Sequence, residues 1–161
     1  MRKHYHVMVW PALIVVAVDQ ITKLAVVNYI RVYDSVPVVA GFFNLVHVRN
    51  RGMAFGLMNQ HKVDSGFYFL VGVTLVAIAL LVLWSFKLRE SDLLTCAGLS
   101  LILGGAIGNL IDRIRLHEVI DFLDFYFRSY HWPAFNVADS AITVGTFWIA
   151  IRLFFHHPSD E

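Results

Sequence analysis

The sequence predicts an all-α membrane protein of four transmembrane helices, with a small β-element and an interfacial connector between them. Three observations carry that reading. Of 161 residues, 58% are hydrophobic and 16% charged, and the mean hydropathy is +0.63; one small water-soluble core does not bury that much apolar surface. A bilayer core is roughly 30 Å thick, so a spanning helix rising about 1.5 Å per residue needs about 20 mostly apolar residues. Four runs, over residues 7–29, 66–86, 93–111 and 137–155, meet that requirement. Finally, Val46 and Val48 alternate with His47 and Arg49, the two-residue period of a half-buried strand. No repeat or low-complexity tract divides the chain, so residues 1–161 read as a single membrane domain. A net charge of +1, without a basic stripe, argues against nucleic acid as a partner.

The first run follows Arg2 and Lys3 and so imitates a signal peptide. No small-x-small cleavage pattern ends it; it passes into Asp19-Gln20-Ile21-Thr22-Lys23 and resumes as Leu24-Ala25-Val26-Val27, so an uncleaved first span is expected. The segment from Val36 to Asn50 has strand character, and Gly52 and Gly56 then permit a tight turn or a close backbone approach. The second and third runs carry no charge. Cys96, the single cysteine, lies inside the third and has no internal disulfide partner. The connector before the fourth run is rich in rings (Phe122, Phe125, Tyr126, Phe127, Tyr130, Trp132, Phe135) and is expected to lie along the headgroup layer.

With four helices running up and down, one face of the bundle collects the later half of the first span, the end of the third, the start of the fourth and both long connectors. Its polar residues each have two readings. Asp19 and Lys23, four apart, make either an intrahelical ion pair or a substrate contact. Asn136 and Asp139, three apart at a helix start, suit a cap and the helix dipole as well as chemistry. Asn109, Asp112 and Arg113 share a helical face and read as a polar lock or as site residues. Asp121 and Asp124 are either the wet side of an interfacial segment or part of a reactive cluster. His47, His117 and His131 have no metal-ligand spacing and read as interface residues. Counted for the positive-inside rule, this busy face holds Arg31, Arg49, Arg51, Lys62, Arg113, Arg115 and Arg128. The quiet face holds Arg2, Lys3, Lys87, Arg89 and Arg152. Count alone makes the busy face cytoplasmic.

Four blocks, in order, change the balance: Asp19-Gln20-Ile21-Thr22-Lys23; Asn50-Arg51-Gly52-Met53-Ala54-Phe55-Gly56; Gly104-Gly105-Ala106-Ile107-Gly108-Asn109-Leu110-Ile111-Asp112-Arg113; and Val119-Ile120-Asp121-Phe122 followed by Phe135-Asn136-Val137-Ala138-Asp139. Over essentially its full length the chain resembles the lipoprotein signal peptidase (signal peptidase II) family. It departs at Arg51 and Met53, where family members often carry a small polar residue and an alanine. The resemblance implies a four-helix inner-membrane aspartic endopeptidase with its catalytic pair at Asp121 and Asp139. It also implies an extracytoplasmic β-element and active site with both termini cytoplasmic, against the arginine count. The implied substrates are prolipoproteins, cut just before a diacylglyceryl-modified cysteine and admitted sideways from the membrane lipid.

Two close carboxyls in a low-dielectric site share a proton, so one serves as base toward water and the other as acid. No metal or cofactor is expected, and the chain is expected to act as a monomer. From position and resemblance, Asn109, Asp112 and Arg113 buttress the pair from the third helix and Asn136 hydrogen-bonds at the fourth. Asn50 and Gly52 contact the substrate backbone, and Asp19 and Lys23 brace the first helix. Two rival classes remain: a small ion-coupled transporter, which needs symmetry and broken helices not seen here, and an assembly factor whose polar residues only pack helices.

Overall fold

The computed structural model describes residues 3–52, 63–88 and 92–155. Met53, with the Ala54-Phe55-Gly56 turn, and the charges of Arg2, Lys62 and Arg89 lie outside the described residues. The elements are α1 (Lys3–Tyr29), β1 (Ser35–Val39), β2 (Phe43–Asn50), α2 (Val63–Lys87), α3 (Leu93–Leu116), β3 (Val119–Phe127), β4 (Tyr130–His131) and α4 (Val137–Phe155). The four helices are long and apolar enough to cross a membrane.

Their burial follows their composition. α2, uncharged from Gly66 to Phe86, packs against α3 at the periphery and turns most of its surface outward, as an all-apolar helix in lipid does. α3 carries Gly98, Gly104, Gly105 and Gly108 and is the hub, packed between α1 and α4. The close approach needs those glycines. A β-carbon on Gly104 would lie 2.8 Å from the Ala12 carbonyl oxygen of α1, and one on Gly105 would collide with the Ala138 carbonyl of α4. The third helix runs past its expected end at residue 111 to Leu116, so Asp112 and Arg113 are helical. His117 stops it in the left-handed conformation (φ 61°), its N–H donating to the Arg113 carbonyl at 2.9 Å.

One end of the bundle carries an antiparallel sheet of order β1-β2-β3-β4. The aromatic connector therefore supplies two of its strands, β3 and β4. β3 forms the centre of the sheet, paired to β2 on one side and β4 on the other. Val119, Ile120, Asp121 and Phe122 are all buried, because Ile120 and Phe122 pack on Val26 and Ile30 at the end of α1. With both faces covered, the strand has no polar alternation to betray it. Exposed rings remain at Phe127, where β3 ends, and at Tyr130 and Trp132 beyond it.

The register of β2 shifts between Leu45 and Val48, which pair with Leu123 and Asp121. The extra residue is accommodated as a bulge, and it turns His47 inward. His47 is 1% exposed, its Nδ1 2.8 Å from the Ile30 carbonyl oxygen, and is no interface residue. His117 is exposed at the end of α3, its ring 4.5 Å from that of Phe67 on α2. His131 is half exposed, with Nδ1 2.8 Å from Asp124; the same carboxylate accepts from Asn44 at 2.9 Å.

Candidate active site

The predicted site residues converge where β2, β3 and the starts or ends of the helices meet. Asp121 stands near the start of β3, opposite Val48, and Asp139 in the first turn of α4. Asn136 joins them. Its Oδ1 accepts the Asp139 backbone N–H at 2.9 Å, capping α4, and its Nδ2 donates to Asp121 Oδ1 at 2.8 Å. The cap and the site are one residue.

Asn109 on α3 repeats the logic. Its Nδ2 donates to Asp139 Oδ1 at 2.7 Å, while its Oδ1 accepts from the Lys23 ammonium at 3.0 Å and from Asn136 Nδ2 at 3.2 Å. Asn50, the last residue of β2, donates from Nδ2 to Asp121 Oδ2 at 2.9 Å and accepts the Gly52 N–H on Oδ1 at 2.8 Å. A backbone N–H and an ammonium only donate, so each of the three Oδ1 atoms is claimed and each Nδ2 must face a carboxylate. The arrangement delivers three amide donors to two acids.

Below this layer lies a charged one. Lys23 is 3% exposed and uses all three of its protons: Asp19 Oδ2 at 2.8 Å, Asp112 Oδ2 at 2.8 Å and Asn109 Oδ1 at 3.0 Å. The i,i+4 pair is present, and through Asp112 it ties α1 to α3. Asp19 Oδ1 accepts the Ala138 N–H at 2.9 Å, a second hold on the start of α4. Asp112 Oδ2 accepts the Ile120 N–H at 3.2 Å, fixing β3 beside Asp121. Arg113 Nη1 donates to the Asn109 carbonyl at 3.4 Å, and its guanidinium faces Asp139, Asp112 and Asp121.

Reading the sequence singled out neither Gln20 nor Glu118. Gln20 Nε2 lies within hydrogen-bond distance of Asp112 (3.0 Å), Asp19 and the Gly108 carbonyl (both 3.2 Å). An amide inside an apolar run was the available signal. Glu118, 6% exposed, pairs with Arg49 and Arg51; a lone acid opening an apolar strand was the corresponding clue.

Burial pushes the Asp121 carboxyl up to about 6; the Asn50 donor lowers it, the Asp139 charge raises it, and Asn136 and Lys23 lower it. Four carboxylates (Asp19, Asp112, Asp121, Asp139) face two cations, Lys23 and Arg113. The Asp139 charge works with burial to keep a proton on Asp121. Such a site can take a proton from a bound molecule at one carboxyl and give one from the other.

Four membrane-length helices, with a sheet over one end and two acids held at the junction, define a multi-pass membrane protein with an acidic site at one end of its bundle. The family model described as signal peptidase (SPase) II matches residues 11–155, and the chain belongs to that family of membrane proteases. It is 44% identical over 153 residues to a lipoprotein signal peptidase of Geobacter metallireducens, covering 95% of this chain and 93% of that protein. It is 46% identical over 158 residues to one of Nitratidesulfovibrio vulgaris, covering 98% and 94%. A solved bacterial membrane enzyme, determined by the in meso method at 1.9 Å, superposes with TM-score 0.82 at 33% identity, covering 91% of this chain and 92% of that one. A second, at 2.3 Å, gives 0.80 at 32% identity, covering 94% and 91%.

Proposed function

We propose that this chain removes the signal peptide from diacylglyceryl-modified prolipoproteins, cutting just before the lipid-modified cysteine, with Asp121 and Asp139 as the catalytic pair. The observation that carries the proposal is the joining of those two carboxylates through Asn136 and Asn109, whose amides donate to one each and are bonded to each other. One carboxyl takes a proton from water as it attacks the scissile carbonyl; the other, protonated, stabilises the developing oxyanion and protonates the leaving amine.

The contacts support the remaining roles. Asn109 and Asn136 orient the pair. Asp112 fixes β3, and Arg113 offsets negative charge at the centre. Asp19 and Lys23 brace α1 against α3 and α4. Asn50 holds Asp121 and, with Gly52, borders the path assigned to the substrate backbone. The substrate's signal-peptide helix enters from lipid between the helices, and the enzyme works as a monomer without metal or cofactor. The bundle sits in the cytoplasmic (inner) membrane with both termini cytoplasmic and the sheet on the extracytoplasmic side.

The test is cleavage of a lipid-modified precursor by purified protein, with the products weighed by mass spectrometry. The expected result is one cut, immediately before the modified cysteine, unaffected by chelator, and no cut in the unmodified precursor. A different cut site or equal cleavage of the unmodified precursor removes the substrate assignment, and loss of activity with chelator removes the metal-free mechanism.

A further inference from the structure

Asn50 is the terminal residue of β2, and strand ends fray, yet its side chain must stay turned toward Asp121. The last ladder pairs are Arg49 with Ile120 and Asn50 with Val119. Directly beyond them Glu118, buried, accepts Arg49 Nη1 at 2.7 Å on one carboxylate oxygen and Arg51 Nε at 3.3 Å on the other. Arg49, next to Asn50 on the strand, points to the opposite face of the sheet by the two-residue alternation, and Arg51, just past the strand end, meets the same Glu118 carboxylate. The two ion pairs therefore hold the strand end from behind without occupying the site. We propose that Glu118 is a positioning residue, clamping the end of β2 through Arg49 and Arg51 so that the Asn50 amide stays on Asp121. The proposal rests on the reading of Asp121 and Asp139 as the catalytic pair.

Ion pairs between exposed groups contribute little, but Glu118 is not exposed, and a buried carboxylate stripped of its partners is strongly disfavoured. The chain therefore has reason to keep both arginines in place. Loosening the clamp releases Asn50, a donor to the ionised form of Asp121, and the acid limb of the rate profile then moves to higher pH. The other charges facing Asp121, namely Lys23 of α1, Arg113 of α3 and Asp139 of α4, are left unaltered.

The experiment measures kcat/KM against pH for the purified full chain on a lipid-modified precursor peptide. It compares wild type with Asn50→Ala, Glu118→Gln, Arg51→Gln and the Glu118→Gln/Asn50→Ala double variant. Asn50→Ala and Glu118→Gln should each move the acid limb upward by about one pH unit, the scale of one charge-assisted hydrogen bond. The double variant should move it no further than Asn50→Ala alone. A wild-type limb in Glu118→Gln, or a shift that adds to that of Asn50→Ala, overturns the proposal. If Glu118→Gln does not fold, Arg51→Gln decides, because Arg51 is 75% exposed and its replacement spares the core; an unmoved limb there overturns the clamp. Asp121→Asn and Asp139→Asn run beside them. If they stay active the catalytic-pair reading fails; if they are inactive and the limbs are unmoved, only the clamp fails.

Discussion

The orientation of three amides decides what the two acids experience. Asn50, Asn109 and Asn136 each have an oxygen occupied by a donor that cannot accept, so their nitrogens are committed to Asp121 and Asp139. Asp121 is charged at a loss nonetheless. A carboxyl at about 6 in the folded chain against 3.8 in the unfolded one binds its proton more tightly when folded. Folding stability from this group is therefore complete below about pH 4 and falls as pH rises to about 6, by on the order of 3 kcal/mol in all. Asp121→Asn removes that penalty, so the thermal midpoint of the variant relative to wild type should rise as pH goes from about 4 to about 7. A difference that does not vary with pH would contradict the burial of Asp121. Lys23→Met should be destabilising by about 3–5 kcal/mol, since it leaves Asp19 and Asp112 buried without their cation; a wild-type melting temperature would show the charged layer to be dispensable.

At the scale of elements, α3 places the site by letting its neighbours come close. Gly105 has no room for a β-carbon beside the Ala138 carbonyl, one residue before Asp139. Gly105→Ala should push the start of α4 outward, lowering the thermal midpoint and the cleavage rate together, with a penalty of roughly 1–3 kcal/mol. A variant with wild-type stability and rate would mean the helices have slack there. The four spans were legible because length and apolarity alone define them. Asp121 and Asp139 stood out as carboxylates in apolar surroundings. β3 was not legible as a strand, since helices cover the face that would have shown alternation. The inward turn of His47 depends on a bulge, which leaves no mark in composition. The Glu118 clamp joins residues 67 and 69 positions apart, a proximity that only the β2–β3 register creates.

For the whole molecule, the arginine count that points the sheet toward the cytoplasm weighs paired and unpaired charges alike. Arg49 and Arg51 are tied to Glu118, and Arg113 lies among the acids of the site; on the opposite face Arg152 is likewise paired, with Asp92. The rule concerns cations available to resist translocation, so the raw count does not decide the orientation. With the sheet outside, a cysteine at the exposed β3–β4 turn, Ser129→Cys, should react with a membrane-impermeant maleimide in intact cells. Cys96, 0% exposed, gives no background. Labelling only after permeabilisation would reverse the orientation. The central claim is that one acid pair performs the hydrolysis, and it is tested most directly by kcat/KM of the folded Asp121→Asn and Asp139→Asn enzymes on a lipid-modified precursor. Each should lose at least about 100-fold, and the double variant little more than either, as expected of groups acting as a unit. Near-wild-type turnover by either single variant would contradict it.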